Sequence, residues 1–197
     1  KEGCEVIYLD AKDEDMLRTP GKKEWLSKVI YTRDPFICVP GGAIILRMAP
    51  YMRHGEERVY TKSLANIGIP ILATLHGNAI AEGGSFTMIT PDTAAIGVSN
   101  RINEEGANQI ESILNQVGVR LLKVPLCGWN IHIDLSFCMV DRDLAVVDPR
   151  TLPWWFLCEL KEMGIRTVYG HPDEFWACNM LATRPGRVII AKGSERT

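Results

Sequence analysis

The segment FICV-PGG-AIILRM, residues 36–48, sets the pattern for the whole chain. Two short apolar runs flank a turn of Pro and Gly, which predicts a β-hairpin. The pattern returns as SFTMI-TPD-TAAIGV (85–98), LSFCMV-DRD-LAVVD (135–148) and WACNMLA-TRPG-RVIIA (176–191). The turns recur at intervals of 51, 50 and 44 residues. Recurrence at such a spacing indicates an internal structural repeat.

A helix and a further strand are predicted after each of the first three hairpins. The helices are expected over 53–67, 103–117 and 153–163, each followed by a glycine. Asn103 or Ser99 is the candidate N-cap of the second helix, and Pro153 fits the first position of the third. The apolar runs IPILAT, VRLLKV and IRTVY then predict strands, and the opening run CEVIYL predicts the last strand of an earlier unit.

The repeating unit is therefore hairpin, helix, strand, and the chain is of the α/β class. Three ββαβ units are complete in this pattern and a fourth is begun by the last hairpin. A radial arrangement of the units would protect the strand edges, while a simple open α/β sheet is the alternative. The chain opens mid-pattern at Lys1 without Met. We expect residues 1–197 to form a single domain that is a segment of a longer protein.

Composition excludes several classes of partner. The net charge is −2 and no run of Lys or Arg is present, so nucleic acid is not an expected partner. The longest apolar runs are strand-sized, far below the roughly 20 residues that span a bilayer, so a membrane is not expected either. None of the six cysteines forms a CxxC pair. Free thiols in a reducing cytoplasm are the simplest interpretation.

The informative polar residues precede the hairpins. They are Thr32-Arg33-Asp34-Pro35, Glu82-Gly83-Gly84-Ser85 and His132-Ile133-Asp134. If rotation relates the units, these positions converge, and acids and a histidine face one pocket. Taken singly, each has a simpler interpretation: a turn cap for Asp34, a bend for the glycine pair and a structural role for His132.

Converging carboxylates favour a cationic ligand, because burying them unpaired is costly. A planar guanidinium matches carboxylates bidentately, and histidine is a proton shuttle near neutral pH. One histidine with oxygen ligands is a weak metal signature, so we expect no metal. A metal-dependent hydrolase using His132, Asp34 and Glu82 remains a minor alternative.

The motifs TRDP (32–35), EGG (82–84) and HID (132–134), in this order, resemble those of the arginine deiminase and amidinotransferase family. The resemblance covers essentially the whole chain. It implies the pentein fold, a β/α propeller of five ββαβ units around a pseudo-fivefold axis with the active site on that axis. Relative to that fold the chain is incomplete.

The resemblance also implies roles for individual residues. Asp34, Glu82 and Asp134 match the acids that bind the substrate guanidinium, and Glu82 also orients the histidine. His132 matches the general acid and base. Arg53 and Arg101 each lie 19 residues after one of these acids and match arginines that hold a substrate carboxylate. A solvated arginine at a helix start is the alternative for both.

Two departures from the family pattern stand out. EGG is followed by Ser85 where the family commonly has aspartate, so a charge is lost and a hydrogen bond is kept. Ser85 is still expected among the substrate-binding residues. The family's nucleophilic cysteine lies in a Gly-rich segment ending in His-Cys, and no such segment is present. Cys178 and Cys127 lack that context, and we do not expect either to be the nucleophile.

The resemblance implies a hydrolase like arginine deiminase, which converts arginine to citrulline and ammonia through a covalent cysteine intermediate. The segment itself is expected to be inactive without that cysteine. An amidinotransferase is one alternative, and a non-catalytic protein that binds guanidino compounds is another. No cofactor is expected. The expected partner is arginine or a related guanidino compound, and a homo-oligomer is left open.

Overall fold

The computed structural model describes residues 3–9, 17–18, 25–26 and 28–197. Its first complete unit contains β1 (Phe36–Val39), β2 (Gly42–Ile45), α1 (Glu56–Asn66) and β3 (Ile71–Thr74). β1 pairs antiparallel with β2, and β2 pairs parallel with β3. The hairpin, helix and strand predicted from the sequence are thus present and form one small sheet.

The same order of elements occurs twice more and then begins again. The remaining elements are β4 (Phe86–Thr90), β5 (Thr93–Val98), α2 (Glu104–Gln116), β6 (Arg120–Pro125), β7 (Phe137–Asp141), β8 (Leu144–Val147), α3 (Trp154–Glu162), β9 (Arg166–Tyr169), β10 (Met180–Arg184) and β11 (Arg187–Ile190). The sheets have the orders β1-β2-β3, β4-β5-β6, β7-β8-β9 and β10-β11. The predicted α/β class and the repeat are confirmed. None of the helices in the described residues has the length and hydrophobicity of a transmembrane segment.

The helix ends follow local rules. Asn103, not Ser99, is the N-cap of α2, and its side chain accepts a hydrogen bond of 2.8 Å from the Gly106 amide. The glycines after the three helices, Gly68, Gly118 and Gly164, have φ values of +79°, +75° and +77°. These values lie in the left-handed region that glycine adopts at low cost, which explains why the helices end there.

Three expectations need correction. Residues 4–9 form no strand, and Val6 and Tyr8 are 71 % and 88 % exposed. A strand requires a pairing partner, and none lies beside this run within the described residues. Pro153 is the N-cap of α3 and not its first residue, because its ψ of 141° is extended. The helix predicted from residue 53 begins at Glu56, since Gly55 interrupts it at φ +108°.

The chain forms two compact units, which are described separately. The N-terminal unit contains Glu5–Gly84 and Asn100–Arg120. The C-terminal unit contains Lys1–Cys4, Ser85–Ser99 and Leu121–Thr197. In the C-terminal unit the core packs Phe137 of β7 edge-on against Phe156 of α3, with ring centroids 5.3 Å apart. In the N-terminal unit, Ala43 and Ile45 of β2 pack against Leu64 of α1.

Candidate functional site

The TRDP motif fixes Asp34 in the N-terminal unit. The motif forms the turn before β1, and the carbonyl of Pro35 accepts a hydrogen bond of 2.9 Å from the Leu46 amide. The Asp34 carbonyl accepts from the Gly83 amide at 2.8 Å, and its carboxylate Oδ1 accepts from the Gly84 amide at 3.1 Å. Asp34 is buried and bound to residues remote in sequence, so a role limited to capping its own turn is wrong.

The EGG motif can approach Asp34 only because it contains glycine. A Cβ atom at Gly83 would lie 2.1 Å from the carbonyl oxygen of Arg33 and 2.9 Å from that of Phe36. Any side chain would therefore force two backbone segments apart. The interpretation of Gly83-Gly84 as a simple bend is incomplete, because the close backbone approach at Gly83 requires glycine.

Arg53 lies at the end of a short 3-10 helix, Tyr51–Arg53, directly before α1. Its Nε and Nη2 donate to the two carboxylate oxygens of Glu56 at 2.9 and 2.7 Å. Its Nη1 donates to Asp34 Oδ2 at 2.7 Å. Arg53 is only 5 % exposed, so it is not a solvated arginine. Burial lowers its pKa, but the hydrogen bonds and charges of Glu56 and Asp34 outweigh burial and hold the pKa above the ordinary value.

Glu82 is fully buried in the same unit. Its Oε1 accepts from the Ala49 amide at 3.1 Å. Nη1 of Arg101 donates to both carboxylate oxygens, at 3.2 and 3.3 Å, and Nη1 of Arg53 lies 3.9 Å from Oε2. Arg101, which lies 19 residues after Glu82, thus contacts Glu82. Arg53, which lies 19 residues after Asp34, contacts Asp34.

These residues form a polar cluster, which we call the carboxylate cluster: Asp34, Glu56, Glu82, Arg53 and Arg101. With all five groups ionised, the three carboxylates and two guanidinium groups have a formal charge of −1. Burial is the largest influence on Glu56 and raises the pKa of its carboxyl, although the hydrogen bond from Arg53 opposes this. The arginines of the cluster show that planar guanidinium groups fit its oxygens.

The HID motif lies in the C-terminal unit. His132 is half-buried with an extended backbone, and it precedes a short 3-10 helix, Ile133–Leu135, in which Asp134 is buried. The Ser85 hydroxyl accepts from the Ile133 amide at 3.3 Å and donates to the Ile131 carbonyl at 3.5 Å. Ser85 therefore holds the backbone on both sides of His132, so the hydrogen-bonding role expected of this serine is directed to the histidine loop.

Ile133 anchors this loop in the hydrophobic core. Its side chain is fully buried in the cluster that contains Phe137 and Phe156. A Cβ atom at Gly97 of β5 would lie 3.0 Å from the Ile133 Cβ and 2.6 Å from Cδ1 of Leu126. The absence of a side chain at Gly97 thus makes room for Ile133. In HID, two polar residues flank an isoleucine, and the packing of Ile133 in the core explains this pattern.

All six cysteines are described and carry free thiols. Cys178 is buried beside Cys138 and Met180 in a small apolar cluster. Burial raises the pKa of the Cys178 thiol to about 12, and the Asp148 carboxylate adds to that rise. A thiol with this pKa is protonated near neutral pH and is a poor nucleophile. The sequence-based rejection of Cys178 therefore has a physical basis, while Cys127 is exposed.

The structure groups four of the predicted residues in one unit, namely Asp34, Glu82, Arg53 and Arg101. It places Ser85, His132 and Asp134 in the other. Glu56 was missed by the sequence analysis, although it contacts Arg53 through both oxygens. The sequence contained no clear signal for this contact, because Arg53 lies before α1 and Gly55 separates it from the helix that begins at Glu56.

The family model for arginine deiminase matches residues 14–169. The chain therefore belongs to the arginine deiminase family. It is 28 % identical to an arginine deiminase of Bacillus cytotoxicus, over 63 % of this chain and 33 % of that protein. It is 26 % identical to an arginine deiminase of Lentilactobacillus hilgardii, over 77 % of this chain and 40 % of that protein. The chain thus spans well under half the length of these relatives.

Solved structures agree on the fold. A dimethylarginine dimethylaminohydrolase of Pseudomonas aeruginosa, complexed with citrulline, superposes with a TM-score of 0.73 at 22 % identity. That match covers 85 % of this chain and 63 % of the other. An amidinotransferase of saxitoxin biosynthesis from Microseira wollei gives a TM-score of 0.67 at 17 % identity, covering 83 % and 58 %. These proteins are pentein-fold enzymes, and this chain shares their α/β fold.

Proposed function

We propose that this chain binds the guanidino group of arginine or a close relative and belongs to a hydrolase of the arginine deiminase type. The carboxylate cluster carries the proposal. Asp34 and Glu82 are buried, each is held by a backbone amide, and each accepts a hydrogen bond from an arginine side chain of the cluster. A guanidinium ion carries a positive charge and the planar set of N–H donors that carboxylates accept.

Asp34, Glu82 and Asp134 hold the guanidino group in this proposal, and His132 moves protons. A cysteine thiolate adds to the central carbon, and His132 gives a proton to the nitrogen that leaves as ammonia. His132 then takes a proton from water as the water oxygen adds to the same carbon. Release of the thiolate yields the ureido product, citrulline from arginine. The proposal assigns no cysteine of this chain as the nucleophile, because Cys178 is buried and protonated.

Hydrolysis is favoured over amidino transfer by the motifs. EGG resembles the deiminases and dimethylarginine hydrolases, HID resembles the deiminases and amidinotransferases, and arginine deiminase shares both. Membership of the arginine deiminase family supports the same choice. Arg53 and Arg101 favour a substrate that also carries a carboxylate. We further propose the pentein arrangement, in which the ββαβ units form a single domain around a pseudo-fivefold axis.

A non-catalytic guanidino-binding protein is the second candidate, because none of the six cysteines of this chain lies in a Gly-rich segment ending in His-Cys. Two measurements separate the candidates. Calorimetric titration with arginine tests binding, and assay for citrulline tests turnover. The assay for citrulline uses the complete protein, because the segment alone is expected to lack the nucleophile. Citrulline release by the complete protein supports the hydrolase, whereas binding without release by the complete protein supports the non-catalytic protein. Formation of a new guanidine from an added amine would instead indicate amidino transfer.

Variants test the assigned roles where turnover is measurable. Asp34→Ala and Asp134→Ala should each abolish turnover, because each removes a carboxylate that binds the guanidino group. His132→Ala should slow turnover by about 10²-fold or more, the contribution of a general acid and base. Unchanged kinetics in any of the three would contradict its role. Failure of the unaltered chain to bind any guanidino compound would refute the proposed function itself.

A further inference from the structure

Glu56 carries no role in the function proposed above, yet it makes the most regular contact in the carboxylate cluster. It is the first residue of α1 and is fully buried. Its two oxygens accept from Nε and Nη2 of Arg53 at 2.9 and 2.7 Å. A bidentate pair fixes the plane of a guanidinium group as well as its position. Glu56 therefore sets the orientation of Arg53.

The orientation of Arg53 decides which of its N–H groups remain for a ligand. Glu56 occupies the edge formed by Nε and Nη2, and Asp34 accepts from Nη1 at 2.7 Å. A guanidinium holds one N–H group of Nη1 parallel to one of Nη2 on the edge away from Nε, and Glu82 Oε2 lies 3.9 Å from Nη1 of Arg53. A carboxylate matches two such parallel N–H groups. Asp34 is held independently by the Gly84 amide, so its place does not depend on Arg53 alone.

We propose that Glu56 is a positioning residue that presents Arg53 to the carboxylate of an amino-acid substrate. This inference rests on the proposed function and deepens it, because it makes discrimination between arginine and its decarboxylated analogue agmatine depend on Glu56. This role requires both accepting oxygens of Glu56 and not only its negative charge. Glutamine has the same shape, but its amide offers one acceptor and one donor, so it cannot accept from both N–H groups of Arg53.

The neighbouring acid provides a matched control. Glu57 follows Glu56 in α1, but its carboxylate accepts from the Gly55 amide at 2.8 Å and is half-buried. It stabilises the helix start without contacting Arg53 in any described hydrogen bond. Glu56→Gln and Glu57→Gln therefore make the same chemical change on adjacent residues, and only the first removes the bidentate contact.

The test is calorimetric titration of the chain and its variants with arginine and with agmatine. Glu56→Gln should weaken arginine binding about tenfold, the equivalent of one charged hydrogen bond, and leave agmatine binding within about twofold. Arg53→Lys should give the same pattern, since lysine lacks the planar fork. The double variant should be no weaker than either single variant, because both changes remove one interaction. Glu57→Gln should not change the ratio of the two affinities.

Circular dichroism establishes that each variant is folded before titration. Should Glu56→Gln not fold, Glu56→Asp tests the same point, because it keeps the charge and shortens the reach. Equal weakening of arginine and agmatine, or additive effects of the changes at positions 53 and 56, would overturn the positioning role while the proposed function stands. Absence of binding of both compounds to the unaltered chain would overturn both proposals.

Discussion

Arg53→Met should destabilise the chain strongly, because it removes the counter-charge that two buried carboxylates share. Methionine keeps an unbranched side chain but cannot donate to Glu56 or Asp34, which now accept three hydrogen bonds of 2.7–2.9 Å from Arg53. Removing one partner of a buried ion pair costs about 3–5 kcal/mol. For a chain of this size each kcal/mol lowers the Tm by about 2–4 °C, so the expected loss is about 6–20 °C.

The loss of stability in Arg53→Met should grow as the pH rises. Burial already raises the pKa of Glu56, and the hydrogen bond and charge of Arg53 oppose that rise. Without Arg53 the pKa of the folded variant rises further above that of the unfolded chain. The folded variant then retains a proton that the unfolded chain releases, and stability is lost as pH rises from the unfolded pKa through the folded one. The deficit relative to the unaltered chain is therefore smaller at pH 5 than at pH 8.

Thermal unfolding followed by circular dichroism between pH 5 and pH 8 measures both effects. Arg101→Met is the matched control, because the Arg101 side chain is 28 % exposed and solvent offsets part of its pairing with Glu82. Its Tm should fall less than that of Arg53→Met. Adding Glu56→Leu to Arg53→Met should recover part of the loss, since an apolar pair can replace a buried ion pair. A deficit below about 2 °C at pH 8, or one independent of pH, would refute the reasoning.

Two further predictions concern the elements that carry the motifs. Phe156→Ala should cost about 3–5 kcal/mol in urea unfolding, because it empties a fully buried position against Phe137, whereas Trp155→Ala on the exposed side of α3 should cost much less. Equal losses would contradict the assigned core. Asn103→Ala should cost at least about 1 kcal/mol, because it removes the cap of α2 and the bonds to Ile80 and Asn78. Asn103→Asp keeps the accepting oxygen but cannot donate to the Asn78 carbonyl, so it should restore only part of that stability.

The order of elements was predictable from the sequence, because its causes act over a few residues. Turn residues flanked by apolar runs specify hairpins, and the glycines after the three helices stop them locally. Asn103 caps α2 through a bond to a residue three positions away. The opening run of residues 4–9 has the composition of a strand, but a strand also needs a neighbour, and composition contains no information about one.

Much of the candidate site was also predictable, since TRDP, EGG and HID recur at one place in the repeat. The sequence by itself therefore determined the class of fold, the family and the identities of Asp34, Glu82, His132 and Asp134 as candidates. The tertiary structure decided that Arg53 is buried, that Glu56 holds it and that Cys178 stays protonated. Those properties arise from burial and from contacts between segments distant along the chain, because desolvation and hydrogen bonding depend on what surrounds a side chain in space.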